Sequence, residues 1–140
     1  KCGALFGEAL VLVNPALGDH FRTCMKQRGD VLAKGWLMGL QFYTLFQNGL
    51  YFDLARKADR QAMEIKAAFQ KAGIPLWVDS PTNQQFAVVS REQEAALAKD
   101  FIFELSHAVD EGHNCIRFCT SWSTRDEEVA ALIEAIGRLN

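Results

Sequence analysis

The sequence predicts an α/β chain that ends in a small α+β domain with a short, mostly antiparallel sheet. Three patterns carry that expectation. Residues 8–13 (EALVLV) form an apolar run closed by Asn14-Pro15, the mark of a buried strand passing into a helix whose first turn tolerates proline. Residues 53–72 place Leu54, Ala58, Ala62, Ile65, Phe69 and Ala72 at three- and four-residue steps with charges between them, which is the stripe of an amphipathic helix. Beyond residue 75, short strand-like runs alternate with turn-rich segments and helix-start signals.

Taken in order, the first helix is expected from Pro15 to about Gln27, with Leu17, Phe21, Cys24 and Met25 on one side and Gly29 ending it. Residues 31–52 (VLAKGWLMGLQFYTLFQNGLYF) are long and apolar enough to raise a transmembrane question. Lys34, Gln41, Gln47, Asn48, Gly35 and Gly39 argue against a span, so this reads as a helix covered on most sides by other protein. The amphipathic helix follows, stopped by Gly73 and kept from resuming by Pro75. A domain boundary is expected within it, dividing residues 1–55 from residues 56–140.

Residues 76–78 and 84–89 read as strands separated by the turn residues Asp79-Ser80-Pro81-Thr82-Asn83. Ser90-Arg91-Glu92-Gln93 fits a capping box that opens a short helix to about Lys99. Residues 101–108 and 115–120 are expected to be strands joined through 110–114. A second capping box at Thr124-Arg125-Asp126-Glu127 starts the last helix, which buries Val129, Leu132, Ile133 and Ile136. Both helices then lie on one face of the sheet.

With 49% hydrophobic residues, a chain of 140 can bury roughly 68% of its unfolded surface, enough for one substantial core or two small ones. Fifteen basic and seventeen acidic residues leave a net charge of -2 and no basic run, which speaks against nucleic acid as a partner. Cys2, Cys24, Cys115 and Cys119 show no CxxC pair and no even spacing, which fits thiols in a reducing cytoplasm. His107, His113, Cys115 and Cys119 match no common zinc spacing, so no metal is expected; Cys115 and Cys119 read as small packed groups. His20, on the polar side of its helix, carries no catalytic signal, and Arg28-Gly29-Asp30 reads as a chance tripeptide.

The opening KCGALFGEALVLVNP resembles the cofactor-lysine segment of threonine aldolase-like and β-eliminating lyase proteins, which are fold type I enzymes dependent on pyridoxal phosphate. In that family a Thr-Lys-x-Gly-Ala stretch precedes a Gly-Glu strand. Lys26-Gln27-Arg28-Gly29 with Lys34-Gly35 resembles the family's basic loop near the cofactor phosphate, and Asp79-Ser80-Pro81-Thr82-Asn83-Gln84-Gln85-Phe86 resembles the entry into its small domain. Cys115-Ile116-Arg117-Phe118-Cys119-Thr120-Ser121-Trp122 resembles the strand whose arginine holds the substrate carboxylate.

The resemblance implies the C-terminal part of such an enzyme: the end of the large cofactor domain, long linking helices and a small α+β domain. It implies Lys1 as the lysine that carries pyridoxal 5'-phosphate, Lys26, Arg28 and Lys34 near the phosphate, and Arg117 on the carboxylate of an amino acid substrate. The implied reaction cleaves the Cα–Cβ bond of a β-hydroxy amino acid, as from threonine to glycine and acetaldehyde. β-Elimination from a substituted amino acid and a non-catalytic amino-acid-binding module are the alternatives. A missing N-terminal part of the same enzyme and a homodimer or homotetramer are the expected partners, in the cytoplasm, with no membrane contact.

The chemistry suits these residue types. A partly desolvated lysine near other cations has a lowered pKa and becomes a nucleophilic amine. Arginine's planar fork makes two charge-assisted hydrogen bonds to a carboxylate and stays charged at any relevant pH. Each has a plainer reading as well. Lys1 can be a terminal surface charge. Arg117 can be a sheet arginine paired with Asp79 or Glu104. Lys26, Arg28 and Lys34 can balance a helix dipole in solvent.

Overall fold

The computed structural model describes residues 2–139, and within them the chain divides into two units, Gly3–Tyr51 and a second made of Cys2 and the residues from Phe52 onward. The helices are α1 (Phe21–Gln27), α2 (Trp36–Phe46), α3 (Leu50–Lys71), α4 (Arg91–Leu97) and α5 (Asp126–Gly137), and the strands β1 (Gln84–Ser90), β2 (Glu104–Ala108) and β3 (His113–Cys119). The boundary between the units falls inside α3.

In the first unit the expected strand at residues 8–13 is absent. A strand needs a neighbour to accept and donate its ladder bonds, and no strand among the described residues of this unit offers one. The segment is instead irregular, with Leu10, Val11 and Val13 largely exposed. Gln41 of α2 ties the residues just before it: its side-chain oxygen accepts from the Leu5 N–H at 2.7 Å, and its amide donates to the Phe6 carbonyl at 3.2 Å. Gly7 follows, with φ of 82°, a conformation that strains any other side chain, and a Cβ there would lie 2.6 Å from the Met38 sulfur.

The expected helix over residues 15–27 is also divided. Asn14 caps a 3-10 turn, Pro15–Gly18, by accepting from the Ala16 N–H, and His20 then turns left-handed before α1 begins. Likewise the long apolar helix does not run through. It starts only at Trp36 and breaks at Gln47–Gly49, where Asn48 and Gly49 both take positive φ, a conformation those two residue types adopt at little cost.

The second unit follows the sequence pattern more closely. In β1, Gln85, Ala87 and Val89 are buried and alternate with half-buried neighbours, as the two-residue period of a strand requires. β3 lies between β1 and β2, antiparallel to both. Residues 76–78 do not form the expected strand: Leu76 makes one bridge to Ala87, flanked by bonds from the Trp77 N–H to Phe86 and from the Val88 N–H to Pro75. Pro75 has no N–H to extend that ladder.

One face of the sheet is covered by α3 and α5. Ile65 and Phe69 from α3 and Val129, Leu132 and Ile136 from α5 meet Ala87, Val89, Ile116 and Phe118, with Leu97 of α4 closing the cluster. Fully burying such side chains contributes about 1.5–3 kcal/mol each, and this layer holds the sheet in place. Gln61, fully buried, adds direction to the packing by donating to the Thr124 carbonyl and to Asp126 at the start of α5.

Helix ends are set by local chemistry. Ser90 and Gln93 exchange bonds in the capping box expected for α4. For α5 the cap lies one residue later than expected: Glu128 accepts from the Arg125 N–H, while the Thr124 hydroxyl turns back to accept from Ser121. In the β2–β3 turn, Asp110 accepts from the Gly112 and His113 N–H groups and faces the His113 ring. The His113 side chain, with those backbone donors, holds the Asp110 carboxyl below its ordinary range.

Candidate functional site

Arg117 owes its position to strand alternation. Ile116 and Phe118 point into the core beneath α3 and α5, so Arg117 between them points from the opposite face of the sheet. As β3 is the central strand, that side chain has a neighbour on each flank: Glu104 is its direct partner on β2 and Phe86 on β1, with Gln84 one step along the same face. The end of β3 is pinned by Thr120, whose hydroxyl donates to the Ala58 carbonyl at 2.7 Å while its own carbonyl accepts from the Asn83 amide.

The guanidinium meets an acceptor on each side. Nη1 donates to Gln84 Oε1 at 3.1 Å, and Nη2 is paired with the Glu104 carboxylate. Of the two carboxylates that the sequence left open, Glu104 is therefore the partner; Asp79 pairs with Lys66. Arg117 remains 32% exposed and Glu104 68%, so this pair is open to water and contributes only about 0–1 kcal/mol. A weakly held, permanently charged fork on an open sheet face can accept an external carboxylate.

The same face carries an aromatic and thiol cluster. The Trp77 indole and the His107 ring meet edge-on with centroids 4.6 Å apart, and Cys115, the register partner of both His107 and Val88, is fully buried. Burial raises the Cys115 thiol pKa, opposed in part by a hydrogen bond with Ser106. No group of three or more His, Cys, Asp or Glu side chains among the described residues is arranged to hold a metal ion.

The other expected site residues belong to the first unit. Lys26 lies in the last turn of α1, Arg28 is its C-cap and Lys34 sits in the turn before α2; all three are exposed, and none is in an ion pair among the described residues. Their charge suits a phosphate dianion. A helix C-terminus also favours cations without any ligand, because its carbonyls carry the negative end of the dipole. Lys1 lies outside the described residues. Sequence reasoning missed Gln84 and the order of preference between Asp79 and Glu104; the two-residue period of β1 was the available signal for Gln84, whereas Glu104 depended on register.

No family model matches the chain, and no curated protein matches it. Among solved structures, a threonine aldolase from Leishmania major superposes with a TM-score of 0.83 at 35% sequence identity over 91% of this chain. The chain spans 37% of the length of that enzyme's chain. A serine palmitoyltransferase from Sphingomonas wittichii gives a TM-score of 0.49 at 12% identity, covering 61% of this chain and 24% of its own. Among the described residues no helix is long and apolar enough to cross a membrane. In backbone and sequence together, the chain is similar to threonine aldolase and has the fold of the C-terminal part of a fold type I, pyridoxal phosphate-dependent enzyme.

Proposed function

We propose that this chain supplies the C-terminal part of a pyridoxal phosphate-dependent lyase that cleaves the Cα–Cβ bond of a β-hydroxy amino acid. The observation that carries the reading is the likeness to the Leishmania threonine aldolase, 35% identical over 91% of the chain. Its chemical complement is Arg117, a partly exposed fork suited to a carboxylate on the sheet face opposite the core.

In this reading Arg117 takes the α-carboxylate of the substrate and fixes the orientation of the amino acid. Lys1 carries the cofactor, and Lys26, Arg28 and Lys34 offset the charge of its phosphate. The bound cofactor supplies an electron sink for the carbon that loses its bond. Net, the β-hydroxyl gives up its proton as its carbon becomes a carbonyl, the Cα–Cβ bond breaks and Cα takes a proton. Threonine thus yields glycine and acetaldehyde with no further reactant.

The exposed apolar residues of the first unit, Leu10, Val11 and Val13 and Trp36, Leu40 and Tyr43 of α2, support two further parts of the reading. They are the surfaces that the N-terminal part of the enzyme and a second subunit cover, in a homodimer or homotetramer. Four free cysteines accord with a cytoplasmic location.

Product analysis of the full-length protein tests the reaction. Incubation with threonine is expected to release glycine and acetaldehyde in equal amounts. Pyruvate from a β-substituted alanine, with no aldehyde from threonine, favours β-elimination instead, and no turnover of either leaves a binding module.

A further inference from the structure

The two groups that hold Arg117 differ in charge, and that difference has a consequence for binding. A carboxylate engages guanidinium through two parallel N–H bonds, either end-on across Nη1 and Nη2 or side-on across Nε and Nη2. Both arrangements use Nη2, the nitrogen that Glu104 occupies. Gln84 sits on Nη1 as a neutral acceptor. From these placements we infer that Glu104 is an internal competitor for the substrate carboxylate, setting substrate affinity, and that Gln84 is a positioning residue that steadies the fork.

Glu104 is suited to yield. It stands on the edge strand, 68% exposed, in a pair weak enough for a carboxylate to displace. While it stays near Nη2 its negative charge disfavours a second anion. Gln84 is half-buried on β1 and adds no charge, so it orients Arg117 without opposing the substrate. Together they explain how a permanently charged arginine on an open face is kept in one direction without being sealed by a strong ion pair.

This inference rests on the carboxylate role of Arg117, and the experiment separates the two. In the full-length holoenzyme, KM for threonine and Ki for glycine are measured beside the affinity for ethanolamine, which keeps the amine and lacks the carboxylate. Glu104→Gln preserves size and a hydrogen-bond acceptor while removing the charge. It is expected to lower KM and Ki about two- to fivefold, with the change falling on KM rather than kcat and ethanolamine unmoved. Gln84→Leu is expected to raise both constants about two- to tenfold, and Gln84→Glu, which restores an acceptor but adds an anion, fails to rescue them.

Arg117→Lys provides the control. If it raises KM while Glu104→Gln leaves KM unchanged or higher, or shifts ethanolamine equally, the competitor role is wrong. If Arg117→Lys leaves KM and Ki unchanged, the carboxylate role of Arg117 itself is wrong.

Discussion

Arg117 and Cys115 sit two positions apart on β3 and share a face, yet their surroundings prepare them for opposite behaviour. Arg117 keeps part of its surface in water and shares its guanidinium with Gln84 and Glu104. Cys115 has no exposure, and burial holds its thiol in the protonated, unreactive form. Cys119, four positions beyond Cys115 at the end of the strand, is exposed. Under a thiol reagent at neutral pH, Cys119 is therefore expected to be labelled in the folded protein and Cys115 only after denaturation, with peptide mapping to distinguish them. Comparable labelling rates in the native state would show that the face over Cys115 is open. The alternation that put these side chains on one face was legible in the sequence; their unequal burial was not, because it depends on Trp77 and His107 arriving from other segments.

Among the elements, α3 was the most legible, since a stripe at helical spacing buries the same residues whatever the connections around it. Its end was legible too. Gly73 takes φ of 70°, its N–H bonds to the Gln70 carbonyl, and the Ile74 N–H reaches back to Phe69. This is a Schellman stop, completed by burial of Ile74 against Phe69 in the core. Gly73→Ala is expected to destabilise the second unit by about 1–2 kcal/mol, because a Cβ is strained in this conformation although space surrounds it. Chemical denaturation of the variant beside the parent protein measures this, and equal midpoints would contradict it. Residues 8–13 show the reverse case. Their apolar run met the pattern of a strand, but pairing is a property of two segments, and a run of side chains cannot report whether its neighbour is present. The division of the long apolar stretch had a local cause, Gln47-Asn48-Gly49, that was visible in the residues and outweighed by the hydropathy around it.

For the molecule as a whole, the small sheet and its core were readable because the alternation of β1, the stripe of α3 and the capping box of α4 agree with local pattern, whereas residues 76–78 and the exact cap of α5 did not follow it. The site assignment rests on resemblance: no spacing rule assigns Arg117 to a carboxylate or Lys1 to a cofactor. The geometry adds to that resemblance a partly exposed fork with a weak internal partner, while Lys26, Arg28 and Lys34 remain three solvated cations. The central claim is that Lys1 carries pyridoxal phosphate. Borohydride reduction of the full-length holoprotein, followed by peptide mapping, tests it most directly. A pyridoxyl adduct on Lys1 is the expected result; an adduct on another lysine, with Lys1 unmodified in an active preparation, would contradict the assignment.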